Sequence, residues 1–307
     1  MTGKSVLTVC LSPTFQNTLV FGSFNEDEVN RAESSMLIDA SGKGLNVLRI
    51  LGQLGTKATC LTQLGGPRVD EYLNLCRDQN MEVIPVICDA QIRTCTTLIN
   101  KERGTSTELV ENAHPVDFDT DRKIWDEFEK NVRKHDALVI SGTKAPGFSK
   151  DIFPRMVKTA KENGLLVVLD VKGEELKACL EYRPDIIKPN LSEFVGTFFE
   201  GLSVLENQDS EQYRTIVAEK TDELYVKYGT RTILTRGKFD SWAFDGEKLI
   251  SVPNPPLTAP VVNTIGCGDT MTAGLTHALL QGESFESAIA FGMKCAVSRA
   301  CHLNHGL

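Results

Sequence analysis

The sequence holds no uninterrupted apolar run long enough to cross a bilayer, which excludes a membrane-spanning helix. Its nine cysteines form no C-x-x-C pair and no Cys/His cluster, so neither a zinc ribbon nor a redox dithiol is encoded. An odd number without framework spacing suits a reducing compartment, where most of them serve as small hydrophobes. Basic residues are outnumbered, 33 Lys and Arg against 41 Asp and Glu, and the net charge of −8 argues against a nucleic-acid surface. A negative chain can still build a local positive pocket for a small anion. Internal repeats and low-complexity linkers are absent, and the opening "MTGKSVLTVCLSP" lacks a signal-peptide cleavage pattern, so a cytoplasmic location is expected. No G-x-G-x-x-G follows the first apolar run, which argues against a nicotinamide-binding dehydrogenase.

What is present is alternation. Apolar, β-branched runs at 6–11, 57–65, 136–142, 165–170, 185–190 and 232–237 predict buried parallel strands. Helical periodicity is read at 43–54, 68–80, 120–134, 149–163, 209–228, 269–281 and 284–301. In the first of these, Leu45, Leu48 and Leu51 form one stripe and Val47, Ile50 and Leu54 another, with Gly55 as the stop. Strand–helix alternation predicts an α/β sandwich with a mostly parallel sheet. Two stretches, about 14–40 and 91–111, break the rhythm and read as β-ribbon, the second a hairpin turning at "KERG". They predict a small second sheet, either a lid or a dimerisation flap.

Three constellations carry chemistry. In "NTIGCGDTMTAG" the loop Gly266-Cys267-Gly268 runs into a helix at Asp269. Unsatisfied N–H groups and the helix dipole make such a place an anion site. A carboxylate there suits proton removal from an attacking hydroxyl, while the plain alternative is an aspartate capping its own helix. In "SGKGLNV", Gly42 and Gly44 permit close backbone approach and Lys43 projects a cation from a helix mouth. It is not a P-loop, because the first glycine is missing and Lys43 lies between glycines. In "IKPNLSEF", Lys188, Asn190 and Glu193 gather where a strand stops at Pro189. Asn190 and Glu193 either form a helix cap or orient water around Mg²⁺ beside a nucleotide. Strand carboxyl ends are where open parallel sheets bind ligands.

The order of these motifs resembles the PfkB (ribokinase-like) sugar kinases over essentially the whole chain. The branch of 1-phosphofructokinase, tagatose-6-phosphate kinase and the minor 6-phosphofructokinase is the most similar. Its motifs correspond to "LSPTFQ" (11–16), "SGKGLNV" (41–47), "IRT" (92–94), Thr107-Glu108, "SGTKAPG" (141–147), "KPNLSE" (188–193) and "TIGCGD" (264–269). The resemblance implies one ribokinase-like kinase domain across 1–307, a three-layer α/β/α sandwich with a small β-sheet lid. It implies ATP and Mg²⁺ as cofactors and a sugar phosphate as acceptor. Asp269 is then the general base, and Gly266, Cys267 and Gly268 the anion hole for the γ-phosphoryl group. Lys43 and Arg93 hold the phosphate already on the sugar, and Gln16, Gly42 and Asn46 line the sugar. Lys188, Asn190 and Glu193 serve the nucleotide phosphates and Mg²⁺, the last two through water. Thr235, Arg236 and Gly237 lie along the nucleotide.

Departures from the branch pattern collect on the acceptor side. Ser12 stands for asparagine, Gln16 for an acidic residue, Ser41 for glycine, and Lys144 and Lys172 add cations. Cys267 replaces a small alanine without removing a backbone N–H. The implied enzyme phosphorylates fructose 1-phosphate, tagatose 6-phosphate or a divergent relative of them. The competing reading is a non-catalytic sugar-phosphate sensor on the same fold, against which the retained Asp269 and N-x-x-E speak. A homodimer through the lid strands is expected because exposed edges invite pairing. No nucleic-acid or membrane partner is expected.

Overall fold

The first apolar run becomes β1 (Ser5–Cys10), buried at every residue. Leu7 and Val9 face one helical layer, Val6 and Cys10 the other. Two-sided burial is what a near-continuous apolar run encodes, as opposed to an alternating one. The computed structural model describes residues 3–205, 208–257, 259–303 and 306 and sets β1 inside a nine-stranded sheet. On one side β1 pairs in parallel with β4 (Lys57–Gly65), which pairs with β5 (Val83–Cys88). On the other side follow β8 (Ala137–Ser141), β9 (Leu166–Asp170), β10 (Ile186–Ile187) and β11 (Arg231–Arg236), all parallel. Antiparallel β12 (Phe239–Phe244) and β13 (Leu249–Val252) finish that edge.

Helices cover both faces. α1 (Lys43–Gln53), α2 (Val69–Asp78), α8 (Cys267–Leu280) and α9 (Phe285–Ala300) share one core. α3 (Phe118–Val132), α4 (Ile152–Glu162), α5 (Gly173–Leu180), α6 (Leu191–Phe198) and α7 (Arg214–Tyr228) share the other. The two apolar stripes read on α1 have a reason: it lies between the sheet and α8, and Gly44 to Leu51 are all buried. Each leucine or isoleucine so covered contributes about 1.5–3 kcal/mol relative to exposure. Gly44 lets α1 approach that closely, since a Cβ there would stand 2.2 Å from the Val9 carbonyl oxygen.

The two β-ribbon stretches form a separate four-stranded sheet in the order β3-β2-β6-β7. It comprises β2 (Thr14–Phe21), β3 (Leu37–Ser41), β6 (Arg93–Asn100) and β7 (Thr105–Val110), with "KERG" turning β6 into β7. The strand expected over 185–190 is shorter, because Pro189 interrupts the ladder, and pairing resumes only as an Asn190–Thr235 bridge. Short α5, with only Leu176, Cys179 and Leu180 buried, edge strands β5 and β13, and β12 beside the latter carry too little periodicity to be read in advance. No helix among the described residues is long and apolar enough to cross a membrane.

Candidate active site

Strand order reverses at β1, between β8 and β4, so loops leaving the carboxyl ends of β1, β8 and β9 diverge and leave a cleft. Cys10 and Ser12 line it from β1, Ser141 to Thr143 from β8, and Asp170 to Lys172 from β9. Lys43 at the start of α1, Arg93 at the start of β6 and Glu193 on α6 complete it. Residues from both sheets therefore meet in one concavity.

Asp269 does not cap its helix. α8 begins at Cys267, two residues before the position expected from sequence, with Gly266 as N-cap at φ 84° and no side-chain capping bond. That positive φ is open to glycine at little cost and turns the chain so that Cys267, Gly268 and Asp269 occupy the first helical turn. The Cys267 N–H is taken by the Thr264 carbonyl at 3.3 Å; the Gly268 and Asp269 N–H groups have no acceptor within the helix, which makes this turn a cradle for negative charge. The carboxylate of Asp269 instead reaches across the molecule, where Asn46 Nδ2 donates to its Oδ2 at 2.8 Å. Burial pushes the Asp269 carboxyl up to about 6, with Asp170 adding to the shift and Lys43, Asn46 and Lys188 opposing it. Its charge is thus poised to change near neutral pH. Burial also pushes the Cys267 thiol up to about 11, so the cysteine adds no charge to the cradle.

Lys188 is almost fully buried, and its Nζ lies 3.4 Å from Asp170 Oδ2. A Cβ placed on Gly268 would stand 3.7 Å from that ammonium, so Lys188 sits directly beside the cradle. Ser141 Oγ donates to the same Asp170 oxygen at 3.2 Å. Burial alone would push the Asp170 carboxyl up, but Lys188 and Lys43 more than offset it and hold it below the ordinary range. Asp170 and Ser141 were given no role by sequence reading, although both stand at strand carboxyl ends, where that position was the available signal.

Asn190 and Glu193 form a reciprocal cap on α6. The Glu193 N–H donates to Asn190 Oδ1 at 2.7 Å and the Asn190 N–H to Glu193 Oε2 at 3.2 Å. Glu193 Oε1 is met by Lys172 Nζ at 3.3 Å. The added lysines therefore differ: Lys172 stands in the cleft, whereas Lys144 is largely covered and engaged with Glu175 and Phe153. Thr235 bridges Asn190, and Gly237 starts the turn after β11. The guanidinium of Arg236 is engaged elsewhere, donating to Ser210 Oγ, Glu211 Oε1 and the Asp240 carbonyl and stacking 3.9 Å over Trp242.

On the small-sheet side, Gln16 is buried in β2, its Nε2 donating to Thr97 Oγ1 at 2.9 Å. Arg93 Nη1 donates to the Glu111 carbonyl at 2.9 Å, while its Nε is buried with no partner among the described residues. Ser12 Oγ is likewise buried without a partner among the described residues. Gly42, at φ 127°, ends β3 against Cys10 and Pro13 and sets the start of α1.

Comparison with known proteins fits this arrangement. The model of the pfkB family carbohydrate kinases matches residues 15–304. A tagatose-6-phosphate kinase of Staphylococcus epidermidis is 26% identical over 313 aligned positions, covering 97% of this chain and 94% of that one. Phosphofructokinase-2 of Escherichia coli, solved with fructose 6-phosphate, superposes with a TM-score of 0.81 at 22% identity, over 98% of this chain and 94% of that one. A possible 1-phosphofructokinase of Thermotoga maritima gives a TM-score of 0.86 at 20% identity, over 99% and 95% of the two chains. The structural likenesses bear on the fold, and the family match spans all three constellations. The chain belongs to the pfkB family of carbohydrate kinases.

Proposed function

We propose that this sugar kinase moves the γ-phosphoryl group of ATP onto a hydroxyl of a phosphorylated ketohexose, with Asp269 as general base. The observation that carries the reading is the pairing of a buried carboxylate, titrating near 6, with the first turn of α8. One takes a proton from the attacking hydroxyl; the other stabilises charge on the transferred group. Gly266, Cys267 and Gly268 form the anion hole, and Lys188 adds a cation at its edge. Lys43 and Arg93 receive the phosphate already on the sugar, Arg93 through a donor left unpaired among the described residues. Gln16, Gly42 and Asn46 line the sugar. Thr235 and Gly237 run along the nucleotide, with Arg236 holding the strand end that presents them.

The donors beside the cleft bear on how Mg²⁺ would be held. Asn190 Oδ1 and one oxygen of Glu193 are occupied in the helix cap, and Lys172 meets the other. The described residues hold no group of three or more side chains able to cage a metal ion. This set fits an ion held chiefly by nucleotide phosphates and water, with Glu193 and Asn190 orienting that water. Such an ion would neutralise the phosphate oxygens. The small sheet forms a lid whose closure over the sugar excludes water. Its outer strand exposes Leu109 and Val110, which suit pairing with a second copy, and sedimentation of the purified chain tests that dimer.

The three relatives named above set the first acceptors to try. ADP release is measured from Mg·ATP with fructose 1-phosphate, fructose 6-phosphate and tagatose 6-phosphate, for the wild type and Asp269→Asn. Turnover on one sugar, lowered about 10²–10⁴-fold by the substitution, is expected. Binding of a sugar phosphate without turnover on a wider panel would favour a sensor instead.

A further inference from the structure

One of the departures from the family pattern, Ser41, is hydrogen-bonded to the residue that holds Asp269. Ser41 Oγ donates to Asn46 Oδ1 at 2.9 Å, and Arg49 Nη1 donates to the same oxygen at 2.9 Å. A guanidinium has donors only, so Arg49 compels the amide oxygen of Asn46 to face it. The NH₂ group of Asn46 must then point the other way, and there it donates to Asp269. Arg49 is itself held in place, its Nη2 donating to the Ala40 carbonyl at 2.5 Å and its Nε to Gln79 Oε1 at 2.6 Å. Gln79 in turn donates to Asp39 at 3.0 Å, so the chain of bonds starts on β3 of the small sheet. Tyr72 fixes Ser41 from behind, its hydroxyl donating to the Ser41 carbonyl at 2.6 Å. Ser41, Asn46, Arg49 and Asp269 are all buried.

We propose that Ser41 and Arg49 are positioning residues for phosphoryl transfer. Together they lock the Asn46 amide so that it holds one carboxylate oxygen of Asp269 and leaves the other to the acceptor hydroxyl. This rests on the reading of Asp269 as general base. Neither residue touches substrate; both act through Asn46. An amide free to flip would present its oxygen to the carboxylate for part of the time, repelling the base instead of orienting it. In this chain a serine adds a second donor where the family pattern has glycine, so the lock has two bolts here.

Several charges face Asp269 and must be held constant in any test. They are Lys43 and Arg49 on α1, Asp170 at the end of β9, Lys188 after β10 and Arg299 on α9, with the neutral but titratable Cys267 thiol on α8. Two variants respect this. Ser41→Ala removes a neutral donor while keeping the Cβ, and Arg49→Lys keeps the charge but loses the fork that meets Asn46 and Ala40 together.

The experiment is a titration of the Asp269 carboxyl by ¹³C NMR in the free enzyme, assigned with Asp269→Asn. It is repeated for Ser41→Ala and Arg49→Lys in the wild-type and Asn46→Ala backgrounds. Each single variant should move the titration upward, since a hydrogen bond to the ionised form is weakened. In the Asn46→Ala background neither should move it further. Turnover of each single variant should fall roughly fivefold with the KM for ATP nearly unchanged. Equal shifts with and without Asn46 would overturn the proposal, as would an unmoved titration. Full turnover by Asp269→Asn would instead sink the general-base reading, while the NMR result still judges the lock.

Discussion

The two sides of the cleft bury polar groups in opposite ways. On the side assigned to phosphoryl transfer they are ionised and paired: Lys188 with Asp170, and Asp269 within reach of Lys43 and Lys188, with the half-exposed Lys172–Glu193 pair at the rim. On the acceptor side, Lys43, Arg49 and Arg93 apart, they are neutral amides and hydroxyls, as in Gln16 with Thr97, Gln63 with the Leu11 carbonyl, and Ser41 with Asn46. A buried charge tolerates no loss of its partner, whereas a neutral hydrogen bond can be exchanged for another at small cost. The transfer side is therefore bound to its residue types, and the acceptor side is free to drift. Most departures follow this: Ser12, Gln16 and Ser41 changed while K-P-N-x-x-E stayed, and the two on the transfer side are the half-exposed Lys172 and Cys267, which leaves the backbone N–H in place.

The largest break in this comparison is Asp269→Asn, which removes a charge that burial already disfavours. Its carboxyl titrates near 6 when folded, against an ordinary value near 4, so the native state binds the extra proton between those limits. Stability contributed by the protonated form is lost as pH rises through that window. The substitution should therefore raise stability at pH 7 by roughly 1–3 kcal/mol while lowering turnover about 10²–10⁴-fold. Denaturation curves at pH 7 and pH 5 check the sign, because the gain must shrink at the lower pH. In the wild type, kcat should fall as pH drops through about 6.

Lys188→Met tests the same side from the cationic end. It leaves the buried Asp170 carboxylate with Ser141 and Lys43 to balance it. A loss of about 3–5 kcal/mol is expected, and adding Asp170→Leu should restore most of it. Calorimetry on the double variant should still show weakened ATP binding, because the cation beside Gly268 is gone. Recovery of both stability and binding would remove Lys188 from the nucleotide site.

How much of this was legible in the sequence follows the same division. The parallel sheet, the small second sheet and the Gly266–Asp269 turn were readable because apolar runs and glycines report local geometry. Asp170 was not, since its meaning depends on Lys188 arriving from a different strand. Arg49 was hidden too: a lone arginine in a helix reads as solvated until Asn46, Ala40 and Gln79 surround it. Lys144 and Lys172 looked alike as added cations, and only packing separates the largely covered structural one from the one in the cleft. Partners distant in sequence carry no local signature.

On the acceptor side, Gln16→Asp restores the charge that the branch pattern carries. It should change the acceptor KM about tenfold and leave the KM for ATP unchanged, since one hydrogen bond to an ionised partner is at stake. Steady-state kinetics with the turned-over sugar measures both. A matching change in the ATP constant would mean that the two sides are not separable.

The smallest effect belongs to Lys172→Ser. Lys172 is about half exposed, and a pair of this kind is worth little to the fold, so unfolding midpoints should barely move. Its consequence lies instead in what Glu193 is free to do. With the ammonium 3.3 Å away, one oxygen of the carboxylate is already neutralised before any metal–nucleotide arrives. Removing the lysine should lower the Mg²⁺ concentration for half-maximal nucleotide binding by about two- to fivefold, the equivalent of a weak surface pair. Calorimetric titration of ATP at several Mg²⁺ concentrations reads this directly. An unchanged or raised requirement would mean that Lys172 holds the phosphates itself, and the transfer side would then have gained a cation instead of a competitor.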